Sequence, residues 1–501
     1  MRDNWIEVKL GKFAFHTKGK KPKRQEPAKN NTFKYVYVDI EAFEKGIIKS
    51  YTDGFKCNFC SESDFLMVWD GSRSGLVGKG ISGALGSTLV SINFPKIEND
   101  FAFYFLQSKF QQINTRAKGT GTPHVDPNLL WNYDFPIAPL PEQRAIVAKI
   151  EQLFSDLDNG IANLKSAKDK LSIYRQSVLK KAFEGELTKE WRSLQTDLPT
   201  ADQLLKQIKE ERQHHYDQQL KEWQQAVKEL ENNGKEGKKP GKPKKIKDSK
   251  LMVNSEQHLL PQIPKEWIWC NLGNVCYRIQ IGPFGSQLHK YDYVEQGIPI
   301  INPKHIRNHK ILPKIFITKE KANSLPQYIL NENDILLGRR GEMGRTANIS
   351  EVSSGWFCGT GSLFIRLGTL FNGKLYSWII SERRVVNYLE DKGSGTTMTN
   401  LNSTILNDLP IQVIPLKEQN QIVQEIESRL SVCDKLEESI DTSLTQAEAL
   451  RQSILKRAFE GKLLTDAELT ACRKEPDWEP AEKLLERTKM EKQYPNRSKR
   501  R

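Results

Sequence analysis

A chain of 501 residues with 28% charged residues, a mean hydropathy of -0.60 and no run of eighteen apolar residues excludes a membrane-spanning helix and leaves room for about three domains. Its seven cysteines are scattered and odd in number, and charges interrupt every apolar patch in the first twenty residues, which excludes a disulfide scaffold and a secretory leader and points to the cytoplasm. The net charge of +14 sits in three stretches, +5 over Lys18 to Lys29, +6 over Asn233 to Lys250 and +5 over Lys492 to Arg501, so basicity permits nucleic-acid contact without establishing it.

Residues 1–138 read as a first globular unit. Lys18 to Lys29, with Pro22 and Pro27, reads as a mobile arm, whose Lys20, Lys21, Lys23 and Arg24 suit phosphates. Phe33 to Ile40 and Asp64 to Trp69 carry the aromatic and β-branched content of strands. Cys57 and Cys60 have half of a zinc spacing, but no second pair completes a tetrahedral set, so they read as an ordinary pair near a turn. Two Gly-rich turns follow, Asp70 to Gly75 and Lys118 to Thr122. Such turns let a backbone approach phosphate, and Ser72, Arg73, Ser74, Lys118 and Thr120 are the side chains they offer to DNA, although strand connection alone also explains them.

Pro139 to Gly185 and Pro415 to Gly461 are copies of one another, 19 of 47 positions being identical without a gap. Identity crowds at the two ends, while the middle keeps only apolar residues at spacings of three, four and seven. Each copy lacks proline after its opening turn and stops at glycine, so each is one long helix of about 65 Å at 1.5 Å per residue. A one-sided stripe of that length needs an equally long partner, and the repeat supplies it. An antiparallel pair is favoured.

The first long helix and its tail fill residues 139–198, and residues 199–254 hold a charged helix followed by a Lys/Gly/Pro linker. His214 and His215 lie on that helix and read as solvated. Residues 255–414 form the second globular unit, opening with Trp267 and Leu272-Gly273 as the first opens with Trp5 and Leu10-Gly11. Its interior otherwise differs, with Gly282 to Ser286, strand-like Gly297 to Asn302 and Asp334 to Gly341. The candidate DNA contacts here are Ser286, Gln287, Arg339, Arg340 and Arg345, joined by Lys392 and Ser394 of a Lys-Gly-Ser-Gly-Thr run that repeats Lys118 to Thr122. Residues 415–501 hold the second long helix and a basic tail.

No GxxxxGK[ST] phosphate loop, no Pro-Pro-aromatic methyltransferase segment, no GxGxxG after a strand and no HExxH is present, so no catalytic, cofactor or metal constellation is read in the chain. Two unlike units, each opening with Trp and Leu-Gly, closing with KG[ST]GT and followed by PLxEQ, a long helix and RQSxLKxAFEG, resemble the DNA specificity subunit of Type I restriction-modification enzymes. Gly282 to Ser286 is also similar to a segment of that family's recognition domains. The resemblance implies a mixed α/β fold in which two target recognition domains are joined by two long helices forming an antiparallel coiled coil. It further implies a non-catalytic subunit that reads a split, asymmetric double-stranded DNA target. The helices set the spacing, and their ends dock two methyltransferase subunits. Glu142, Gln143, Arg175, Phe183, Glu418, Gln419, Arg451 and Phe459, at those ends, are the implied docking residues. S-adenosylmethionine belongs to the methyltransferase partners, and ATP and Mg to restriction subunits. Two other classes compete: an autonomous DNA methyltransferase or nuclease, opposed by the absent motifs, and a scaffold without a nucleic-acid role, opposed by the two divergent units.

Overall fold

The computed structural model describes residues 4–119, 121–232, 241–243, 260–341, 343–393 and 401–493. Its contacts divide the chain into two compact units, residues 1–167 with 439–501 and residues 168–438. Both repeats are single helices, Leu140–Phe183 and Leu416–Phe459, of 44 residues each. They end alike. Gly185 and Gly461 have φ of 75° and 71°. The amide of Gly185 bonds to Ala182 O and that of Glu186 to Lys181 O, as Gly461 bonds to Ala458 O and Lys462 to Arg457 O. This is the Schellman stop, which needs a left-handed residue and so glycine.

The two helices run antiparallel. In the first unit Asp158 pairs with Arg451, whose guanidinium lies 4.5 Å from the Phe154 ring centre. In the second unit Arg175 pairs with Asp434 at 2.7 Å and with Glu437 at 3.0 Å. Asp434 is the repeat counterpart of Asp158, and Arg451 that of Arg175, so one ion pair is built twice.

In the first unit Ile6–Lys9 pairs antiparallel with Asp134–Ile137, closing the globular part where the long helix begins. A four-stranded antiparallel sheet runs in the order Phe15–Lys18, Leu89–Asn93, Phe65–Val68, Val77–Lys79. Its strand Phe65–Val68 is buried on both faces. Phe65 and Met67 join the core under the helices, whereas Leu66 and Val68 join a second core under another sheet. That sheet runs Tyr51–Thr52, Tyr35–Val38, Gly83–Leu85, Phe59–Cys60, its two central strands parallel.

The second unit repeats the closing strand pair and the antiparallel sheet, although its sequence looks unlike the first, while its second sheet carries the parallel pair at one edge instead of the centre. Ile268–Asn271 pairs with Pro410–Val413. Its antiparallel sheet runs Cys276–Ile281, Ser362–Leu367, Ile335–Gly338, Thr346–Asn348. A second sheet runs Tyr293–Val294, Phe316–Ile317, Ile298–Ile301, Phe357–Cys358, with the last two parallel. The Leu-Gly echo is a single 3-10 turn in both copies, Leu10–Lys12 and Leu272–Asn274.

Two expectations change. The basic segment is not a free arm: Lys18 is a strand residue, the Lys20 amide bonds to Leu85 O at 3.0 Å, and Glu26 and Tyr51 exchange two backbone bonds. Gly19 makes this contact possible, since a Cβ there would stand 2.0 Å from Gly86 O. His215 is not solvated; it stacks on Tyr277 at 3.9 Å and 6°, and burial pushes its pKa down. It lies on the helix Ala201–Asn232, whose buried Leu204 and Ile208 and whose Arg212, donating to Gly273 O and Asn274 O, fasten it to the second globular part. Cys60 is buried, its thiol pushed up to about 12 by desolvation, and no group of three ligand-type side chains that could hold a metal occurs among the described residues.

Candidate nucleic-acid interface

In the first unit the two Gly-rich turns, far apart in sequence, lie side by side. Gly71 N–H donates to Pro123 O at 2.7 Å, Lys118 and His124 exchange backbone bonds of 2.9 and 2.8 Å, and Val125 N–H donates to Trp69 O. Asn114 of the helix Asn99–Thr115 donates to both Ser72 O and Ser74 O at 3.0 Å, which fixes the tip. Ser72 is exposed. Arg73 is exposed too, but its guanidinium pairs with the buried Glu44 carboxylate at 2.5 Å. Ser74 is wholly buried with an unpartnered hydroxyl, so it shapes the turn and has no surface to offer DNA. Lys118 pairs with Asp126 at 2.9 Å, and that contact holds the carboxyl below its ordinary range. Thr120 lies outside the described residues.

Around these turns stand residues that the sequence did not single out. His16 stacks on Trp131 at 4.4 Å, Trp131 on Trp69 at 6.4 Å, and Lys18 reaches over Trp69 while pairing with Asp70 at 3.0 Å. The strand pattern was legible there, but the column needs the sheet order to assemble it. Lys20, Lys21, Lys23 and Arg24 are exposed on their fastened backbone.

The corresponding turn in the second unit follows Ile335–Gly338 and is held in the same way. Leu401 N–H donates to Arg339 O at 3.1 Å, the counterpart of Val125 on Trp69. Arg339 is half-buried: its Nε donates to Leu401 O at 3.1 Å and its guanidinium lies 6.0 Å from the Phe284 ring centre. Burial, then neighbouring Arg340, push its pKa down. Arg340 is exposed and Arg345 half-buried. Ser286 is exposed, while Gln287 accepts from Phe284 N–H and from the Tyr328 hydroxyl at 2.9 Å and so braces the loop. Phe284 is left 62% exposed on that braced loop. Lys392 is exposed at the end of Arg383–Lys392, and Ser394 lies outside the described residues.

The eight helix-end residues turn inward. Glu142 accepts from the Trp5 indole and Glu418 from the Trp267 indole, each at 2.8 Å. Gln143 donates to Ala138 O and accepts from Glu98 N–H; Gln419 donates to Ile414 O and accepts from Asn372 N–H. None of these four is more than 2% exposed. Phe183 is buried, and Phe459 packs edge-on to Phe101 and Phe105. Arg175 and Arg451 make the helix-pair ion bridges. The repeated tryptophan and the repeated Glu-Gln are therefore two halves of one joint between each globular part and its helix. Their burial gives them no surface for docking.

The Type I restriction modification DNA specificity domain model matches residues 2–165 and 264–446. The MjaVIII specificity subunit of Methanocaldococcus jannaschii is 33% identical over 184 residues, a match spanning 36% of this chain and 42% of that one. The EcoBI specificity subunit of Escherichia coli is 22% identical over 472 residues, 92% of this chain and 87% of that one. A solved chain from a study of complex assembly and conformational transition of the type I R-M system shares the fold, with a TM-score of 0.63 at 20% identity over 92% of this chain and 99% of that one. The matched regions cover well over half the sequence, and the chain belongs to the Type I restriction-modification DNA specificity family.

Proposed function

We propose that the chain reads an asymmetric duplex DNA target as two half-sites, one by each target recognition domain, 1–138 and 255–414, and directs adenine methylation or restriction by partner subunits. One observation supports this most. The same strand order of the antiparallel sheet holds the same turn in both units, but the sequence after Trp69 is Asp70-Gly-Ser-Arg-Ser-Gly and that after Arg339 is Arg340-Gly-Glu-Met-Gly. A shared scaffold with unlike tips suits two unlike half-sites, because sequence is read by side chains at base edges.

In this reading the chain is not itself an enzyme. Two methyltransferase subunits bind S-adenosylmethionine, restriction subunits use ATP and Mg, and the complex works in the cytoplasm; no described helix is long and apolar enough to cross a membrane. Because the Glu-Gln pairs are internal, docking falls to exposed faces of the helix ends. Arg340 is the base-reading candidate and Lys20, Lys21 and Lys23 are phosphate contacts. Arg340→Ala should cost about 1 to 3 kcal/mol on the cognate duplex and relax one base position, whereas Lys20→Ala should weaken all duplexes evenly and flatten the salt slope by about one. Anisotropy titrations of the assembled complex over a range of salt separate the two. Equal slopes and equal selectivity for both variants would remove the assignment. Calorimetry of the purified chain with S-adenosylmethionine should give no saturable heat, and saturable binding would place the cofactor in this chain instead.

A further inference from the structure

The second unit holds a cleft of about 1330 Å³ between the end of the first long helix and the globular part. Five cations line it: Lys180, Arg307, Arg345, Arg383 and Arg384. Against them stand Glu184, Glu382 and Glu390. Two groups in the cleft, Arg384 and His309, carry polar atoms whose needs the surrounding protein does not meet.

Arg384 is half-buried. Its Nε reaches Glu382 at 3.3 Å and its guanidinium stacks 4.8 Å from the Trp269 ring centre, but its Nη2 is buried without an acceptor. Burial pushes its pKa down against the opposing pull of Glu382. Beside it Gln412, opposite Trp269 in the strand ladder, is 2% exposed and leaves its Oε1 unpartnered.

The second group is His309, at the tip of the hairpin Ile306–Arg307 and Lys310–Ile311. Asn308 and His309 both take left-handed backbone, with φ of 48° and 59°. Such strain in non-glycine residues persists only where the surroundings hold it. Thr346 Oγ1 lies 3.3 Å from Nδ1 and Ser381 Oγ 3.5 Å from Nε2, yet each hydroxyl donates its own proton to a backbone carbonyl at 2.7 Å. Both therefore turn lone pairs to the ring. Only an imidazolium would satisfy both, while burial holds the ring's pKa below its ordinary value. An incoming anion would resolve that conflict as well as the one at Arg384.

We infer that this cleft binds a phosphate group, with Arg384 Nη2 as its inner donor and exposed Arg307 and Arg383 at its mouth. The chemistry is shared by a duplex backbone phosphate and a free phosphate compound. The test is a calorimetric titration of the full chain with inorganic pyrophosphate at fixed ionic strength, for the unmodified protein, Arg307→Ala and Arg383→Ala. Both arginines are exposed, so truncation leaves packing intact, and near-ultraviolet circular dichroism checks this. Saturable binding is expected, weakened about tenfold in each variant as a charge-assisted bond is lost. Competition by non-specific duplex would assign the site to the DNA backbone, and its absence to a free phosphate compound. No saturable binding, or the same binding in the unmodified protein and both variants, overturns the inference. Sequence selectivity conferred by Arg340 can stand or fall separately.

Discussion

Glu142 and Glu418 occupy the same place in the two repeats but carry unequal loads. Glu142 accepts one indole N–H, whereas Glu418 accepts the Trp267 indole, the Thr188 hydroxyl at 2.7 Å and the Arg192 guanidinium at 2.5 Å. Removing Glu418 takes the nearest carboxylate from a guanidinium that is only 10% exposed, leaving it Glu266 at 3.6 Å and Gly185 O, and also strands the Thr188 hydroxyl and the Trp267 indole; removing Glu142 strands a single indole N–H, for about 1 to 3 kcal/mol. Chemical denaturation of Glu418→Ala and Glu142→Ala should therefore rank the first as worse, and equal midpoints would mean that Glu266 takes over the Arg192 guanidinium. The family resemblance implied a docking surface at these residues. Their partners lie 137 and 151 residues away, so only the fold reveals that they are internal.

At the scale of elements, the long helices were legible because period and stop signal agreed. The stops make a testable pair of demands on Gly185: left-handed backbone, and no room, since a Cβ would meet Pro264 Cγ at 2.4 Å. Gly185→Ala should cost more than the roughly 1 to 2 kcal/mol of left-handed backbone strain alone, and denaturation with fragment-specific probes would show it. A second element-level prediction concerns Asp466–Arg473. Glu468 closes its capping box, accepting from the Thr465 amide and hydroxyl and pairing with Lys149 at 3.1 Å. The Thr465 bonds, chiefly, hold its carboxyl at about 2 against an ordinary 4.5. A depressed folded pKa contributes stability above the unfolded value that is lost as pH falls, so the cap should weaken between about pH 4.5 and 2. Carbon-detected titration of labelled glutamate should find Glu468 ionised at pH 3; a midpoint near 4.5 would contradict the geometry. The strand order was not legible. Strands of two to six residues carry too little pattern, and pairings such as Phe15–Lys18 with Leu89–Asn93 skip over most of a unit. The basic segment misled for a related reason: Lys and Pro signal a loop, but backbone bonds to Leu85 and Tyr51 leave no trace in side-chain chemistry.

At the scale of the whole molecule, duplication was the clearest sequence signal, and the antiparallel sheet, whose strand order the two units share, extends it into regions where identity has vanished. Length then becomes the conserved quantity of the helices. Their middles, Ser166 to Lys170 and Thr442 to Gln446, keep periodicity with little identity. Four residues inserted after Lys168 add about 6 Å and slightly more than one turn, so the apolar stripe is nearly kept. The half-sites should stay as they are while the unspecified spacer grows by one or two base pairs. Altered half-sites with an unchanged spacer would refute the helix as a ruler.

The central claim is that this chain supplies the sequence and its partners supply the chemistry. The most direct measurement maps every modified adenine in a random duplex library incubated with S-adenosylmethionine and the methyltransferase subunits, with and without this chain, and with the chain alone. Modification confined to one split, asymmetric sequence, and only when chain and partners are combined, is the predicted result. Methyl transfer by the chain alone, or a partner pattern that the chain leaves unchanged, would contradict the account.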